Sequence, residues 1–151
     1  MNIKTIGYVK EGKIKLEEDY VNGLKGLEGF SHIVVTWWAN QLEDDQYRSH
    51  YVFEKPYKPG PDKVGVFATR SPMRPNPICI SIIDVKAIDM DKGFLESYYM
   101  DMDEETPILD IKPYYSCVAR IKDVSQPEWC QDLPKWYEDS GSYDWSKFFN
   151  F

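Results

Sequence analysis

The sequence is poor in histidine, cysteine and basic charge, and it has no long apolar run. With only two histidines, His32 and His50, a Ser-His-Asp arrangement has two ways to form, and His32 at the mouth of an apolar stretch reads as a structural ring. The three cysteines Cys79, Cys117 and Cys130 are widely spaced with no C-x-x-C pair. That pattern fits a reduced cytoplasmic protein and argues against both a disulfide scaffold and a metal site. Eighteen Lys+Arg face 25 Asp+Glu for a formal net charge of -7, which excludes a general attraction for phosphates and confines any nucleic-acid contact to a local basic patch. No stretch approaches the ~20 apolar residues that span a bilayer. The first residues, MNIKTIGYVKEGK, lack the apolar core of a signal peptide, so no membrane role is expected. Glycine-rich phosphate loops, G-x-S-x-G and H-E-x-x-H are absent too.

What is abundant is aromatic: five Trp, eleven Tyr and seven Phe in 151 residues, enough for a thick β-core or a pocket that stacks flat ligands. The length suits one domain with a self-sufficient core. Thr5 to Val9 and Lys13 to Leu16 flank Glu11-Gly12 and predict a β-hairpin. Glu17 to Leu24 fits a helical turn, His32 to Ala39 a central strand buried on both faces, Leu42 to Val52 a short helix and Val64 to Ala68 a further strand. In Ile78 to Ala87 the apolar positions change phase near Ile82-Ile83, which predicts a β-bulge. Strands follow over Phe94 to Met100 and within Thr106 to Tyr114. Ser125 and Glu128 have capping-box spacing, ahead of Trp129, Leu133, Trp136 and Tyr137 at helical intervals. The aromatic stretch from Tyr143 to Phe151 is expected to dock on the body or on a second subunit. Short, sequence-adjacent strands with little helix between them favour a mainly β, single-domain antiparallel barrel over residues 1–122, with a short helical appendage over 123–151.

Two segments carry the chemistry. From Val64 to Ile82 there are two arginines, Arg70 and Arg74, and no acid. Pro72, Pro75 and Pro77 stiffen this stretch, so what its side chains grip is met with little entropy loss. A guanidinium there suits a carboxylate, a phosphate or a stacked base. The second segment, Asp101 to Tyr114, puts five acids ahead of Lys112. It sets Asp110 and Lys112 among apolar and proline neighbours. A basic loop and an acidic loop together describe a cleft for a ligand carrying both charges.

The run GVFATRSPMRPNPICIS, with ETPILDIKPY downstream and GLEGFSHIVVTWW upstream, closely resembles the TsaA-like (TrmO-type) family over roughly Ile3 to Tyr114. The resemblance is to the short form of the family, without the C-terminal domain of the bacterial tRNA enzymes. It implies a β-barrel methyltransferase that uses S-adenosyl-L-methionine, works as a cytoplasmic homodimer, and methylates the 6-amino nitrogen of threonylcarbamoyl-adenosine in a tRNA anticodon loop. Carried over by motif, the cofactor contacts would be Asn40, Gln41, Arg70, Ile80, Tyr98, Tyr99, Met100 and Asp101. Arg74, Asn76, Lys112 and Tyr114 would line the same site, Asp110 would be the proton acceptor, and tRNA would be gripped through the Arg70 to Asn76 loop. No metal is implied. Cys79 and Glu105 stand where the family usually has glycine, and the arginine-containing loop many members carry after the first strand is replaced by a tight hairpin. With the negative net charge, these differences leave two other functions open: methylation of a small-molecule or other non-tRNA acceptor, and regulatory binding of the cofactor without catalysis.

Overall fold

A computed structural model describes residues 2–151. Its chain forms two compact units: one runs up to Glu43 and resumes from Asn76 to Arg120, and the other joins Asp44–Pro75 to Ile121–Phe151.

The first unit is built on a seven-stranded antiparallel sheet. Its strands are β1 (Gly7–Lys10), β2 (Lys13–Leu16), β3 (His32–Trp38), β6 (Ile78–Asp84), β7 (Ala87–Asp89), β8 (Phe94–Glu96) and β9 (Pro107–Pro113), in the spatial order β6-β3-β9-β1-β2-β8-β7. The hairpin between β1 and β2 forms where the local sequence places it. Glu11 and Gly12 both take positive φ, 54° and 69°, the pair of left-handed residues that closes a two-residue turn, and Lys10 faces Lys13 across it. Gly7 is required by proximity, since a Cβ there would lie 2.3 Å from the Lys15 carbonyl oxygen. Val9, Ile14, Leu16, Ile33, Val35, Ile83, Leu95 and Ile108 fill the core. Each such side chain contributes roughly 1.5–3 kcal/mol by leaving water.

Several expectations are corrected. The apolar run of β3 is buried on one face only, with Ile33 and Val35 inside and His32, Val34 and Thr36 half-exposed. No bulge interrupts β6, whose register with β3 is unbroken from Asp84 to Ile78. The bulge lies in β9 instead, where pairing steps from Thr36–Asp110 to Trp37–Ile108 and leaves Leu109 extra. In β6 the apolar phase change arises because both faces carry apolar residues, Ile83 on one and Ile78, Ile80 and Ile82 on the other. The strand from Phe94 ends at Glu96, and Val66–Ala68 is a 3-10 turn. Among the described residues no ladder joins β6 to β7, so the pairing shows an antiparallel sheet and not a closed barrel. No helix among the described residues is long and apolar enough to cross a membrane.

The second unit pairs β4 (Val52–Glu54) with β5 (Lys63–Gly65). The expected helix after Ser125 is absent: Pro127 precedes a 3-10 turn, Glu128–Cys130, without a side-chain cap. The apolar stripe therefore divides, with Trp129 and Leu133 packed while Trp136 and Tyr137 are exposed. The last residues dock on the segment after β4. Tyr57 meets Trp129 and Phe148 with ring centroids 5.0 and 4.6 Å away, and the Asn150 backbone N–H donates to the Pro56 carbonyl at 3.1 Å. Burial among these rings pushes the Tyr57 phenol and the Cys130 thiol above their ordinary pKa values, which keeps the thiol protonated and unreactive near neutrality.

Candidate functional site

In the first unit the segment after β8 leaves the sheet and is held by two side chains of β6. Asp84 anchors its start: the carboxylate accepts from the Ser97 hydroxyl and, at 2.9 Å, from the Tyr98 backbone N–H. Ser81 anchors its end, donating to Asp101 Oδ1 at 2.8 Å, while the Trp37 indole N–H donates to the Ser81 hydroxyl at 2.9 Å. Met100 packs against the core and Met102 is buried in it. With the backbone fixed in this way, Tyr98 and Tyr99 still turn outward, 76% and 71% exposed. Such rings have little rotamer freedom to lose on binding.

One face of Tyr98 is already occupied, by Lys86 Nζ at 5.4 Å from the ring centroid. Lys86 in turn pairs with Glu96, which also pairs with Lys13 at 3.2 Å. The bond to Glu96 raises the Lys86 pKa, and the bonds from Lys86 and Lys13 hold Glu96 below the ordinary carboxylate range. Asp101 has no such cation. Among the described residues no Lys or Arg lies within ion-pair distance of it, and its Oδ2 takes no hydrogen bond.

The turn after β3 is tied to the same loop. Gln41, in the 3-10 turn Asn40–Leu42, donates through Nε2 to Asp103 Oδ2 at 3.0 Å, and Asn40 is exposed beside it. Gln41 is thereby tied to the loop that follows the stretch Tyr98 to Asp101. Ile80 projects from the opposite face of β6 to Ser81, in one row with Thr36 and Asp110. Lys112 stands two residues along β9, and the Tyr114 ring meets His32 edge-on at 6.5 Å. Both Asp110 oxygens are engaged, Oδ2 by Lys112 and Oδ1 by the Ile111 backbone N–H at 3.0 Å. Asp110 also lines a groove with Tyr20, Phe30 and Tyr115. Asn76 is exposed, and its carbonyl accepts from the Ile78 N–H at 2.7 Å.

Arg70 and Arg74 belong to the second unit. Their loop is braced by side chain to backbone bonds as well as by proline. Thr69 Oγ1 donates to the Val66 carbonyl at 2.8 Å, the Ser71 hydroxyl receives the Met73 N–H at 3.2 Å, and Arg48 Nε donates to the Pro75 carbonyl at 2.9 Å. Arg74 Nη2 reaches the Val66 carbonyl at 3.3 Å, so this guanidinium helps hold the loop. Arg70 is exposed on it.

Sequence reasoning missed Trp37, Ser81, Asp84 and Ser97. The available signal was Ser81, a lone hydroxyl in the strand Ile78-Cys79-Ile80-Ser81-Ile82-Ile83 that is only 8% exposed and so needs a hydrogen-bond partner.

The model of the tRNA-methyltransferase O N-terminal domain matches residues 5–119. The chain belongs to that family. Among its relatives of the TrmO family, a probable S-adenosyl-L-methionine-binding protein of Halobacterium salinarum is 38% identical over 66% of this chain and 73% of its own length. The tRNA (adenine(37)-N6)-methyltransferase of Escherichia coli is 34% identical over 79% of this chain. The match takes in 52% of that enzyme, about half its length. The crystal structure of TrmO from Pseudomonas aeruginosa has the same fold, with a TM-score of 0.62 at 25% identity over 83% of this chain and 60% of that one.

Proposed function

We propose that this TrmO-family chain binds S-adenosyl-L-methionine and transfers its methyl group to the 6-amino nitrogen of a modified adenosine in a tRNA anticodon loop. The observation that carries the reading is the Asp101 carboxylate, exposed, hydrogen-bonded at one oxygen only, and adjacent to two outward tyrosines on a pinned segment. The residues of the first unit fit the cofactor's chemistry: a sulfonium cation is stabilised by a carboxylate and by ring faces. When bound, the cofactor supplies an electrophilic methyl whose bond to sulfur breaks with both electrons remaining on sulfur. The chain's task is then to align, because an in-line displacement gains most from orientation. Tyr99 and the free face of Tyr98 hold the cationic end, Asp101 neutralises it, and Gln41 keeps the acidic loop in place through Asp103. The proton released from the acceptor amine passes to water, because Asp110 lies on the sheet face opposite to Ser81, which holds Asp101, and is paired with Lys112.

Family relatives named for the tRNA reaction and for cofactor binding support the reading. The observation favouring a second reading, binding without transfer, is that Asp110 is already paired with Lys112. Two measurements test both. Calorimetry on the full chain with S-adenosylmethionine should give binding that Asp101→Asn weakens. Methyl incorporation into tRNA from a strain deleted for this gene should follow; binding without incorporation into tRNA or a small-molecule pool would favour the second reading.

The family resemblance also carries a closed barrel, a cytoplasmic location and a homodimer. The half-exposed Val34 and Ile82 and the exposed Ile80, apolar neighbours on one sheet face, support a subunit contact, and sedimentation of the intact chain checks it.

A further inference from the structure

We infer that Trp37 and Ser81 are positioning residues that aim Asp101 at the cationic centre of the ligand, so that the site prefers the sulfonium cofactor over its neutral thioether product. The inference rests on the cofactor reading above and names what sets its selectivity. The direction of the hydrogen-bond chain is fixed by chemistry. An indole N–H only donates, so the Ser81 hydroxyl must accept from Trp37 at 2.9 Å, and its single proton is committed to Asp101 at 2.8 Å. Ser81 cannot turn its proton to water, because it is 8% exposed. Linked bonds of one polarity strengthen each other in a low dielectric.

The result is a carboxylate with one oxygen saturated from inside the sheet and the other left toward solvent. No Lys or Arg among the described residues pairs with it, whereas Asp110 and Glu96 are ion-paired. The second anchor, Asp84 on the Ser97 hydroxyl and the Tyr98 N–H, fixes the other end of the segment. A carboxylate oriented before the ligand arrives needs no reorganisation when a positive charge meets it. It offers no comparable gain to a neutral sulfur. Product release after methyl transfer is thereby favoured by the same bond that favours binding before it.

The test is calorimetry on the full chain with S-adenosylmethionine and S-adenosylhomocysteine, each as a separate titrant, with the folded state checked by circular dichroism. The wild type should prefer the sulfonium form. Ser81→Ala should weaken that form by about tenfold, the size of a lost charge-assisted hydrogen bond, leave the thioether form unchanged, and so bring the ratio of affinities toward one. Trp37→Phe should move the ratio the same way by a smaller factor, and Ser81→Thr, which keeps a hydroxyl on a β-branched strand residue, should restore it. If Ser81→Ala does not fold, Trp37→Phe and Ser81→Thr carry the same comparison. A ratio unchanged in folded variants, or both affinities lost in parallel, would overturn the positioning roles while leaving the cofactor reading intact. Failure of the wild type to bind either compound would overturn the cofactor reading itself.

Discussion

Glu105 takes φ of 66°, in the left-handed region, at the place where the resembled family has glycine. The conformation is imposed by its neighbours: the Glu105 N–H donates to the Val9 carbonyl at 3.0 Å, and Thr106 N–H returns to the Asp103 carbonyl at 3.2 Å. For a residue with a Cβ this costs roughly 1–2 kcal/mol. Glu105→Gly removes that strain. Against it stand the larger conformational entropy of glycine in the unfolded chain, about 0.4–1 kcal/mol, and loss of the exposed Lys10–Glu105 pair, which contributes little because solvent screens it. The strain is the largest of the three, so the glycine variant should be more stable by about 0.5 kcal/mol, raising Tm by one to two degrees on the ~2–4 °C per kcal/mol scale for a chain of this size. Glu105→Ala sharpens the contrast, since it keeps the strain, loses the pair, and should melt below the wild type. The assay is urea denaturation and thermal melting of the three proteins side by side. An alanine variant as stable as the glycine variant would refute the strain argument. No equivalent gain is expected at Cys79, which lies in β6 with φ outside the left-handed region.

Other consequences are as direct. Because Lys86 and Lys13 depress the Glu96 pKa from its ordinary 4.5, the pair stabilises the fold fully above that value and is lost as pH falls through the lower folded pKa. Glu96→Gln should therefore flatten the acid limb of a stability profile below pH 4.5 and leave its slope near neutrality unchanged. Leu95, fully buried where β2, β8 and β7 meet, should cost about 2–5 kcal/mol on truncation to alanine, read as a lower urea midpoint at constant m-value.

The local parts of this fold were legible in the sequence. Glu11-Gly12 specifies its turn by itself, and His32 to Trp38 is apolar and β-branched wherever it is read. What escaped depends on partners distant in sequence. The bulge falls in β9 because of how that strand meets β3, information absent from either strand alone. In β6 a change of apolar phase mimicked a change of backbone phase because neither face is polar. The stripe after Ser125 has helical spacing, but Pro127 and Pro134 break it into turns, and its rings are shared between Tyr57 and solvent. The site divides in the same way. Tyr98 to Asp101 and Gln41 were named by motif, whereas Trp37, Ser81 and Asp84 become visible only once the register sets Val35 against Ser81 and His32 against Asp84.

That register also changes the meaning of the acidic loop. Read as a run, Asp101, Asp103, Glu104 and Glu105 look like one negative patch that would repel RNA. In the fold they have separate work. Glu104 accepts from the Glu11 N–H at 2.9 Å and closes the hairpin turn, Glu105 pairs with Lys10, and Asp103 receives Gln41. Glu105 raises the Lys10 pKa through their hydrogen bond, as expected for charges that neutralise each other. Of the four, only Glu105 meets a cation; Asp101, Asp103 and Glu104 are held by neutral donors and keep their charge. The acids of the loop thus hold the hairpin and the neighbouring turn in place as well as setting the local field. A polyanion approaching this surface meets three carboxylates without a cation, and in the proposed complex the bound sulfonium neutralises one of them, Asp101. Cofactor should consequently bind before nucleic acid: tRNA affinity measured with S-adenosylmethionine present should exceed that of the free protein, and an equal affinity in the two conditions would contradict this ordering.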